Sequence, residues 1–343
     1  MIELDGSSGE GGGQIVRTSL TLAISTASPI RIRNIRARRS NPGLRPQHLA
    51  AVHAAAAICG ARIEGAAIAS AVLIFVPGEL RPGHYEFDVG TAGSTMLVLQ
   101  TILPALSRCS APSQILLQGG THNPRAPTFE FIQHAYLPLL MRLGYKTSIS
   151  LERHGFYPRG GGVVHASIEP LRREDSLELL DRGPIQSRIA RVLISRLPSH
   201  IAQREIDVLR SRLGLPEDAC GIDTVTAPSS GNTLHVRVDC LNVSTVFCGF
   251  GIRGIPAEAV ASRVADEVER YLAAQVALDS HLADQMLVPL ALAAGGRFST
   301  LTPSGHTATN AAVIKRFLPV DYETLELGDK RWEVSLRTPH PPQ

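Results

Sequence analysis

A histidine near the C-terminal end of the chain stands between a turn and a helix. The stretch Ser299–Asn310 is typical of a short β-branched strand, a Pro/Ser/Gly turn and the start of a helix, which we predict over Thr307–Phe317. His306 then lies in or beside the first helical turn, where unpaired N–H groups and the helix dipole favour an anion and disfavour protonated imidazole. A neutral imidazole nitrogen can attack phosphorus, so His306 is a candidate nucleophile. The alternative is a histidine that only caps the helix.

A second candidate group is a glycine-rich loop near the N-terminus. Gly6–Gly13 joins a predicted strand to a predicted helix, so its backbone can approach a ligand closely and the helix start can receive phosphate. Glu10 lies in the middle of this loop and could bind a divalent metal through its carboxylate. The alternative is a solvated loop glutamate.

A third group is a concentration of arginines in one loop after a predicted strand. The basic residues of this region are Arg31, Arg33, Arg36, Arg38, Arg39, Arg45 and His48. Such a loop is typical of a surface that binds phosphates or an RNA backbone, whereas the plainer interpretation is a solvated edge. A further segment, His154–Gly162, contains three consecutive glycines after Pro-Arg, which indicates either a close backbone crossing or a bound ligand.

Composition limits the classes of protein. The formal charge is +3 over 343 residues, which excludes a histone-like nucleic-acid coat, and only three of the 34 basic residues are lysines. No lysine stands in a phosphate-loop or nucleotide-transfer motif. No apolar run is long enough for a membrane span, no signal segment begins the chain, and the five cysteines form no CxxC pair. We therefore expect a cytoplasmic protein with reduced thiols.

The elements that must position these residues alternate in an α/β (α+β) pattern. Two β-α-β-α-β-β units of roughly 80 residues follow each other, the second with a helix over Thr128–Leu143. A third unit is split: Leu177–Leu180 is its first strand, and the rest resumes at His281–Ala294. We predict a catalytic domain from 1–182 and 277–343 and an inserted small α/β domain at 183–276. The insertion is predicted to have two helices, at Ser199–Leu213 and Ala257–Gln275, and two strands, at Thr233–Val238 and Ser244–Cys248. The end of the chain, Thr338–Gln343, looks unstructured.

Several stretches together resemble the RNA 3′-terminal phosphate cyclase family over essentially the whole chain. His154–Val164 matches the signature HGxxPxGGGxV of that family. The other matching stretches, in order, are Gly6–Arg17, Asn41–His48, Gly93–Gln100, Gly120–Pro127, Leu282–Gln285 and His306–Asn310.

The resemblance implies a fold and a reaction. The fold is three β-α-β-α-β-β repeats like the C-terminal domain of translation initiation factor 3, with an inserted α/β domain. In the family, the histidine that matches His306 attacks the α-phosphorus of ATP, and AMP then passes to an RNA 3′-phosphate. The neighbouring 2′-OH closes a 2′,3′-cyclic phosphate and releases AMP. The implied cofactors are ATP as co-substrate and a divalent cation, Mg²⁺ or Mn²⁺, and the implied partner is RNA with a 3′-phosphate end. A homodimer is left open.

The resemblance also implies roles for residues other than His306. Glu10 is expected on the metal side. The residues expected to hold phosphates and the RNA end are Arg17, Arg36, Arg39, Gln47 and His48. The residues expected to form the ATP pocket are Gln100, Pro127, His281, Asp284 and Gln285. His281 departs from the family, because a tyrosine that stacks on adenine is expected there, and imidazole offers less stacking area.

Three other functions are weighed against this one. A non-catalytic cyclase-like protein of RNA processing or ribosome biogenesis would lack the histidine nucleophile, which this chain has. An enolpyruvyl transferase would use lysines that are nearly absent here. A plain RNA-binding module would bind without transferring AMP.

Overall fold

The computed structural model describes residues 1–338 and begins with a β-α-β-α-β-β repeat. Its elements are β1 (Ile2–Asp5), α1 (Gly13–Ser25), β2 (Ile30–Arg33), α2 (Pro46–Cys59), β3 (Arg62–Glu64) and β4 (Leu73–Val76). The sheet order is β1-β2-β4-β3, in which β1 and β2 are parallel and β4 is antiparallel to β2 and β3. Pro46 is well placed at the start of α2 because it lacks an N–H, and Gly60 ends that helix in the left-handed conformation.

The second repeat has the same topology. Its elements are β5 (His84–Asp88), α3 (Thr95–Leu106), β6 (Ser113–Gly119), α4 (Phe129–Phe131), α5 (Leu137–Arg142), β7 (Thr147–Arg153) and β8 (Gly162–Ile168). The sheet order is β5-β6-β8-β7. The helix predicted over Thr128–Leu143 is present from Phe129 to Arg142, but its middle part, Ile132–Tyr136, is π-helical and separates α4 from α5. Pro138 has no N–H to donate to the carbonyl four residues earlier, so the regular α-helical hydrogen-bond series cannot continue there.

The third repeat is interrupted after its first strand, β9 (Leu177–Leu179). The inserted elements are β10 (Ile185–Ser195), α6 (Ser199–Leu213), β11 (Cys220–Thr224), β12 (Gly231–Cys240), β13 (Ser244–Phe250) and α7 (Ala257–Ala274). They form their own sheet, in the order β11-β10-β12-β13. The sequence prediction missed β10 and β11.

After the insertion the repeat resumes and completes its sheet. The remaining elements are α8 (Ser280–Leu292), β14 (Gly296–Thr300), α9 (Gly305–Ile314), β15 (Asp321–Gly328) and β16 (Arg331–Arg337). The sheet order β9-β14-β16-β15 repeats the topology of the other two units, since β9 pairs in parallel with β14 across the whole insertion. The predicted α/β fold with three β-α-β-α-β-β repeats is therefore confirmed.

Two hydrophobic clusters account for the core. One joins the three repeats and includes most of α1, α3 and α8. The other lies between the inserted sheet and the helices α6 and α7.

The exact division into domains at 182/183 and 276/277 stays a prediction. The tail that was predicted to be unstructured is Thr338–Gln343, and all of it except Thr338 lies outside the described residues. Within residues 1–338, the helices are all too short or too polar to cross a membrane.

Helix α1 connects the repeats that carry the candidate residues. It packs against α2 and α3 on one side and against α9 of the third repeat on the other. The loop between β1 and α1 therefore lies beside the loop between β14 and α9. This packing brings the N-terminal glycine loop to the histidine near the other end of the chain.

Candidate active site

His306 is the second residue of α9. The Ser304 hydroxyl caps this helix and accepts hydrogen bonds from the backbone N–H groups of His306 and Thr307, at 3.0 and 3.2 Å. The helix begins two residues earlier than predicted because Ser304, and not a later residue, is its N-cap. The imidazole thus projects from a helix start, where the dipole is positive.

The imidazole of His306 meets the carboxylate of Glu10. The distance from His306 Nε2 to Glu10 Oε2 is 3.0 Å, and the two side chains are 44% and 34% exposed. Arg39 lies 3.5 Å from the same carboxylate oxygen and donates a hydrogen bond to the Glu10 backbone carbonyl at 2.8 Å. A nucleophilic nitrogen, a carboxylate and a guanidinium therefore share one open surface.

Glycines allow the two loops to approach this closely. Gly9 has a φ of +53°, and a β-carbon there would collide with Thr309 Oγ1. A β-carbon at Gly305 would lie 2.9 Å from Glu10 Oε1. The Glu10 backbone N–H donates to Thr309 Oγ1 at 3.2 Å, which fixes the position of the carboxylate beside α9.

Asp284, on α8, lies beneath the start of α9. Its carboxylate is buried and accepts hydrogen bonds from the Ser304 hydroxyl, at 2.8 Å to each oxygen, and from the Thr307 hydroxyl. Burial raises the pKa of this carboxyl, and the two hydroxyl hydrogen bonds offset part of the rise. The Asn310 amide donates to the Asp284 carbonyl at 3.1 Å and accepts from the Thr18 hydroxyl at 2.8 Å. Asp284 therefore fixes α9, and with it His306, against α8 and α1.

His48, on the first turn of α2, lies against the start of α1, and Arg17 is on the second turn of α1. The Nδ1 atom of His48 accepts a hydrogen bond from the Arg45 N–H at 3.1 Å, so the proton of the neutral ring is on Nε2, next to Gly13. Burial and the charges of Arg17, Arg36 and Arg45 lower the pKa of His48 to about 3. Burial also lowers the pKa of Arg17 to about 10. In residues 1–338, no acidic side chain lies within 4 Å of the Arg17 guanidinium, so this cation is free to meet an anion.

Two other residues predicted to bind phosphate make contacts within the protein. Arg36 has a φ of +53° and donates to the carbonyls of Asn41 and Gly43, at 2.5 and 3.2 Å, so it holds the arginine loop closed. Burial and the nearby Arg45 and Arg39 lower its pKa. The Gln47 side chain packs against Gly93, where a β-carbon would lie 3.0 Å from the Gln47 β-carbon.

The remaining residues of the predicted nucleotide pocket lie on three elements. Both polar atoms of the Gln100 amide, on α3, are buried with no hydrogen-bond partner in the described part of the chain. Pro127 precedes the Thr128 cap of α4. His281 is exposed on the first turn of α8, and Gln285 follows it by one turn on the same face. An exposed imidazole at this place is free to stack on a base.

Sequence reasoning missed two sets of residues here. Ser304, Thr307 and Thr309 fix His306 and Glu10, but small hydroxyl residues near a helix start have no distinctive spacing beyond a capping signal. The reasoning also missed a buried pair formed by His122 and Glu130 in the second repeat.

Comparisons with known proteins identify the family of this chain. Residues 8–324 match the sequence model of the family described as RNA 3′-terminal phosphate cyclase. Three proteins named "RNA 3'-terminal phosphate cyclase" are similar over nearly their whole lengths. The protein from Koribacter versatilis is 46% identical over 95% of this chain and 92% of its own, and the one from Ectopseudomonas mendocina 46% over 98% of each. The protein from Ralstonia nicotianae is 47% identical over 93% of this chain and 92% of its own.

Among solved structures, the enolpyruvyl transferase NikO from Streptomyces tendae aligns with 97% of this chain and 47% of its own. The identity is 12% and the TM-score 0.39, which supports no conclusion. The family match and the three relatives, in contrast, extend over almost the entire sequence. The chain belongs to the RNA 3′-terminal phosphate cyclase family.

Proposed function

We propose that this enzyme converts an RNA 3′-terminal phosphate into a 2′,3′-cyclic phosphate and consumes ATP, with release of AMP and pyrophosphate. The observation that carries the proposal is the 3.0 Å contact between His306 Nε2 and Glu10 Oε2 at the start of α9. The names of the three relatives support the overall reaction. The individual steps below are inferred from the positions of the side chains.

In the first step, His306 acts as the nucleophile on the α-phosphorus of ATP. Nε2 faces Glu10 Oε2 and donates its proton to this carboxylate, so the lone pair of the neutral ring lies on the other nitrogen. That nitrogen forms the N–P bond as the P–O bond to pyrophosphate breaks, and Glu10 accepts the Nε2 proton. The helix dipole of α9 stabilises the negative charge that develops on the phosphoryl oxygens. The product of this step is AMP joined to His306 by a phosphoramidate bond.

In the second and third steps, AMP activates the RNA end. An oxygen of the 3′-terminal phosphate attacks the phosphorus of the His306 adduct, so the N–P bond breaks and the AMP is transferred to RNA. The neighbouring 2′-OH then attacks the activated phosphorus, closes the cyclic phosphate and expels AMP. Each displacement has a good leaving group, and covalent catalysis thereby divides one difficult reaction into easier ones.

A divalent cation fits beside Glu10. Oε2 of this carboxylate contacts His306 and Arg39, while Oε1 accepts no hydrogen bond in residues 1–338. Mg²⁺ is typically held in proteins by one or two carboxylates together with substrate phosphates and water. When bound there, the cation neutralises charge on the triphosphate.

Cationic and neutral donors on α1, on α2 and in the arginine loop are proposed to hold the phosphates. Arg17 has no acidic partner within the described residues, and His48 keeps an N–H on its buried neutral ring. Arg39 is half-exposed and already reaches Glu10, so it is placed to contact both the triphosphate and the RNA end. Arg36 and Gln47 support this surface from behind through their contacts within the protein.

The nucleotide base is proposed to lie near His281 and Gln285. The unpartnered Gln100 amide and Pro127 form another part of the pocket, and Asp284 contributes by fixing α9. We assign catalysis to residues 1–182 and 277–343, and treat 183–276 as an inserted domain with its own sheet and core.

The reaction is tested on RNA with a labelled 3′-terminal phosphate, incubated with the enzyme, ATP and Mg²⁺. We expect the label to become resistant to phosphatase, because a cyclic diester has no terminal phosphate. A matched RNA whose last sugar lacks the 2′-OH cannot cyclise, so its label is expected to remain sensitive to phosphatase. Tight RNA binding with no change at the 3′ end, by an enzyme that is folded, would contradict the proposal and favour a non-catalytic cyclase-like protein.

A further inference from the structure

A cluster of metal-ligating side chains lies in the second repeat, away from His306. One ligand atom from each of His122, Glu130 and His154 lies within 4.8 Å of the other two. We propose that these three residues bind a Zn²⁺ ion that joins the His122 loop, the start of α4 and the glycine-rich segment at His154. This site is separate from the cation at Glu10 and from the cyclisation reaction.

The geometry of the cluster suits a shared ion. His122 Nε2 lies 3.0 and 2.9 Å from the two carboxylate oxygens of Glu130. The rings of His122 and His154 are stacked with their centroids 5.2 Å apart. Zinc holds such nitrogen and oxygen ligands at about 2.0–2.2 Å, so the three ligand atoms would draw closer together around the ion.

Backbone hydrogen bonds hold the two histidine loops together without any metal. The N–H groups of Thr121 and His122 both donate to the Gly155 carbonyl, at 2.9 and 3.2 Å. The Gly155 N–H donates to the Thr121 hydroxyl at 2.9 Å, and that hydroxyl lies 2.7 Å from His122 Nδ1. Because Nδ1 contacts this hydroxyl, Nε2 is the nitrogen of His122 that faces Glu130. Histidines that bind metals commonly have such a hydrogen-bond partner on the nitrogen that does not bind the metal.

A third histidine, outside the cluster, gives independent support. His235, on β12 of the inserted sheet, is 8% exposed, and its Nδ1 atom is buried with no hydrogen-bond partner in the described part of the chain. His235 lies opposite Cys248 in the inserted sheet, and the Cys248 thiol is 3.4 Å from the Thr128 hydroxyl at the cap of α4, so this part of β12 lies close to the start of α4. Burial of a nitrogen that has no hydrogen-bond partner costs free energy, unless an ion, a ligand or a water molecule contacts it.

The ligand chemistry favours Zn²⁺. Two imidazoles and one carboxylate form a set that zinc uses in proteins, with the fourth position left for water or another ligand. Magnesium and calcium prefer oxygen ligands and would not choose two histidines. On binding, the metal replaces the hydrogen between His122 Nε2 and Glu130, and the proton leaves to solvent. His154 is partly exposed, so the metal has a path to the cluster.

The test measures the binding of Zn²⁺ to the full-length enzyme after a chelator has removed any bound metal. Metal-free protein is titrated with Zn²⁺ by calorimetry, and with Co²⁺ while visible absorption is recorded. The variants are His154→Ala and Glu130→Gln. His165→Ala is the control, because His165 forms a comparable contact with Glu152, at 2.7 Å, on the exposed surface. His306→Ala removes the other accessible histidine–carboxylate pair.

We expect one tightly bound Zn²⁺ per wild-type chain and the visible absorption of four-coordinate Co²⁺. His154→Ala and Glu130→Gln are expected to weaken Zn²⁺ binding by more than about tenfold, while His165→Ala and His306→Ala leave it unchanged. Zn²⁺ is also expected to raise the unfolding temperature of the wild type but not of His154→Ala.

Equal Zn²⁺ binding by wild type and His154→Ala, or no binding by folded wild type, would overturn the proposal. Either result would leave His122 and Glu130 as a hydrogen-bonded pair alone. Because cyclisation does not require this site, the outcome is independent of the proposed function.

Discussion

Two of the histidine–glutamate pairs, His306–Glu10 and His122–Glu130, have nearly equal lengths in very different surroundings. His306 and Glu10 are 3.0 Å apart, with side chains 44% and 34% exposed, whereas His122 and Glu130 are 2.9 Å apart, with side chains 0% and 12% exposed. The first pair joins the first and third repeats, and the second lies within one repeat. Similar contacts between the same residue types are therefore expected to serve different purposes.

Burial determines the difference. An exposed ion pair adds little to stability, because water already solvates both groups, so the His306 pair is available to a ligand. Removing one partner of a buried pair leaves the other desolvated and unpaired, which costs much more. Burial raises the pKa of Glu130, but the charge and hydrogen bond of His122 outweigh that rise and keep the pKa below its usual range. The exposed pair is suited to chemistry and the buried pair to holding structure.

The largest effect is expected from His306→Ala. The rate of cyclisation should fall by at least about 10⁴-fold, because the nucleophile is gone and binding alone remains. The free energy of unfolding should change by less than about 0.5 kcal/mol, since the side chain is nearly half exposed and contributes little packing. Single-turnover kinetics and thermal denaturation measure the two quantities. A large loss of stability would mean that His306 is structural.

Asp284→Ala is expected to separate positioning from chemistry. Without the carboxylate, the Ser304 and Thr307 hydroxyls lose their acceptor and α9 shifts, so kcat should fall by about 10²-fold. Asp284→Asn keeps an acceptor for one hydroxyl and should recover part of that loss. Both variants should still form some covalent adduct with AMP, because His306 remains. Full activity of Asp284→Ala would show that the buried carboxylate does not position the nucleophile.

A direct comparison of the two pairs uses glutamate variants in the presence of a chelator. Glu130→Ala should lower the free energy of unfolding by about 3 kcal/mol, because it leaves His122 buried and unpaired. Glu10→Ala should lower it by no more than about 1 kcal/mol. Denaturant titration of both variants beside wild type gives the two values. Equal losses would contradict the assignment of different purposes to the two pairs.

A buried carboxylate without a histidine partner sharpens the comparison. Glu205 on α6 receives a hydrogen bond from the Asn232 amide at 2.8 Å, and burial raises its pKa from 4.5 to about 7. The folded state therefore binds a proton more tightly than the unfolded state, so stability is greatest below about pH 4.5 for this group and declines as pH rises toward 7.

Glu205→Gln should remove this decline, since glutamine is neutral and its amide can donate to the unpartnered Asn232 Oδ1. At pH 8 the variant should be more stable than wild type by about 1–3 kcal/mol. Unfolding curves at pH 5 and pH 8 for both proteins measure the effect. The same pH dependence in wild type and Glu205→Gln would show that another group is responsible.

The sequence predicted the repeats well, because alternating strand and helix periodicities are local and each repeat carries its own. It also identified His306 and Glu10 separately, through a helix-start signal and a glycine loop. It could not predict that they meet, since periodicity reports which face of an element is buried and not which distant loops come together. The His122–Glu130–His154 cluster was missed for the same reason.

Two structural details were hidden for different reasons. Strand β10 carries arginines among its apolar residues, so its alternation is weak, although it is an inner strand that pairs with both β11 and β12. The π-helical segment before Pro138 arises from one missing N–H, and helical periodicity barely changes across it. Pairing with neighbouring strands overrides the weak local pattern of β10. The absence of a single N–H at Pro138 overrides the regular helical pattern before it.

The most direct test of the central claim is the covalent intermediate itself. Wild type and His306→Ala are incubated with α-labelled ATP and Mg²⁺, and the protein is separated on a denaturing gel. We predict a labelled wild-type band that is acid-labile and alkali-stable, as a phosphoramidate is, and no label on the variant. Absence of label on folded wild-type protein, or a label that persists on His306→Ala, would contradict the assignment of His306 as the nucleophile.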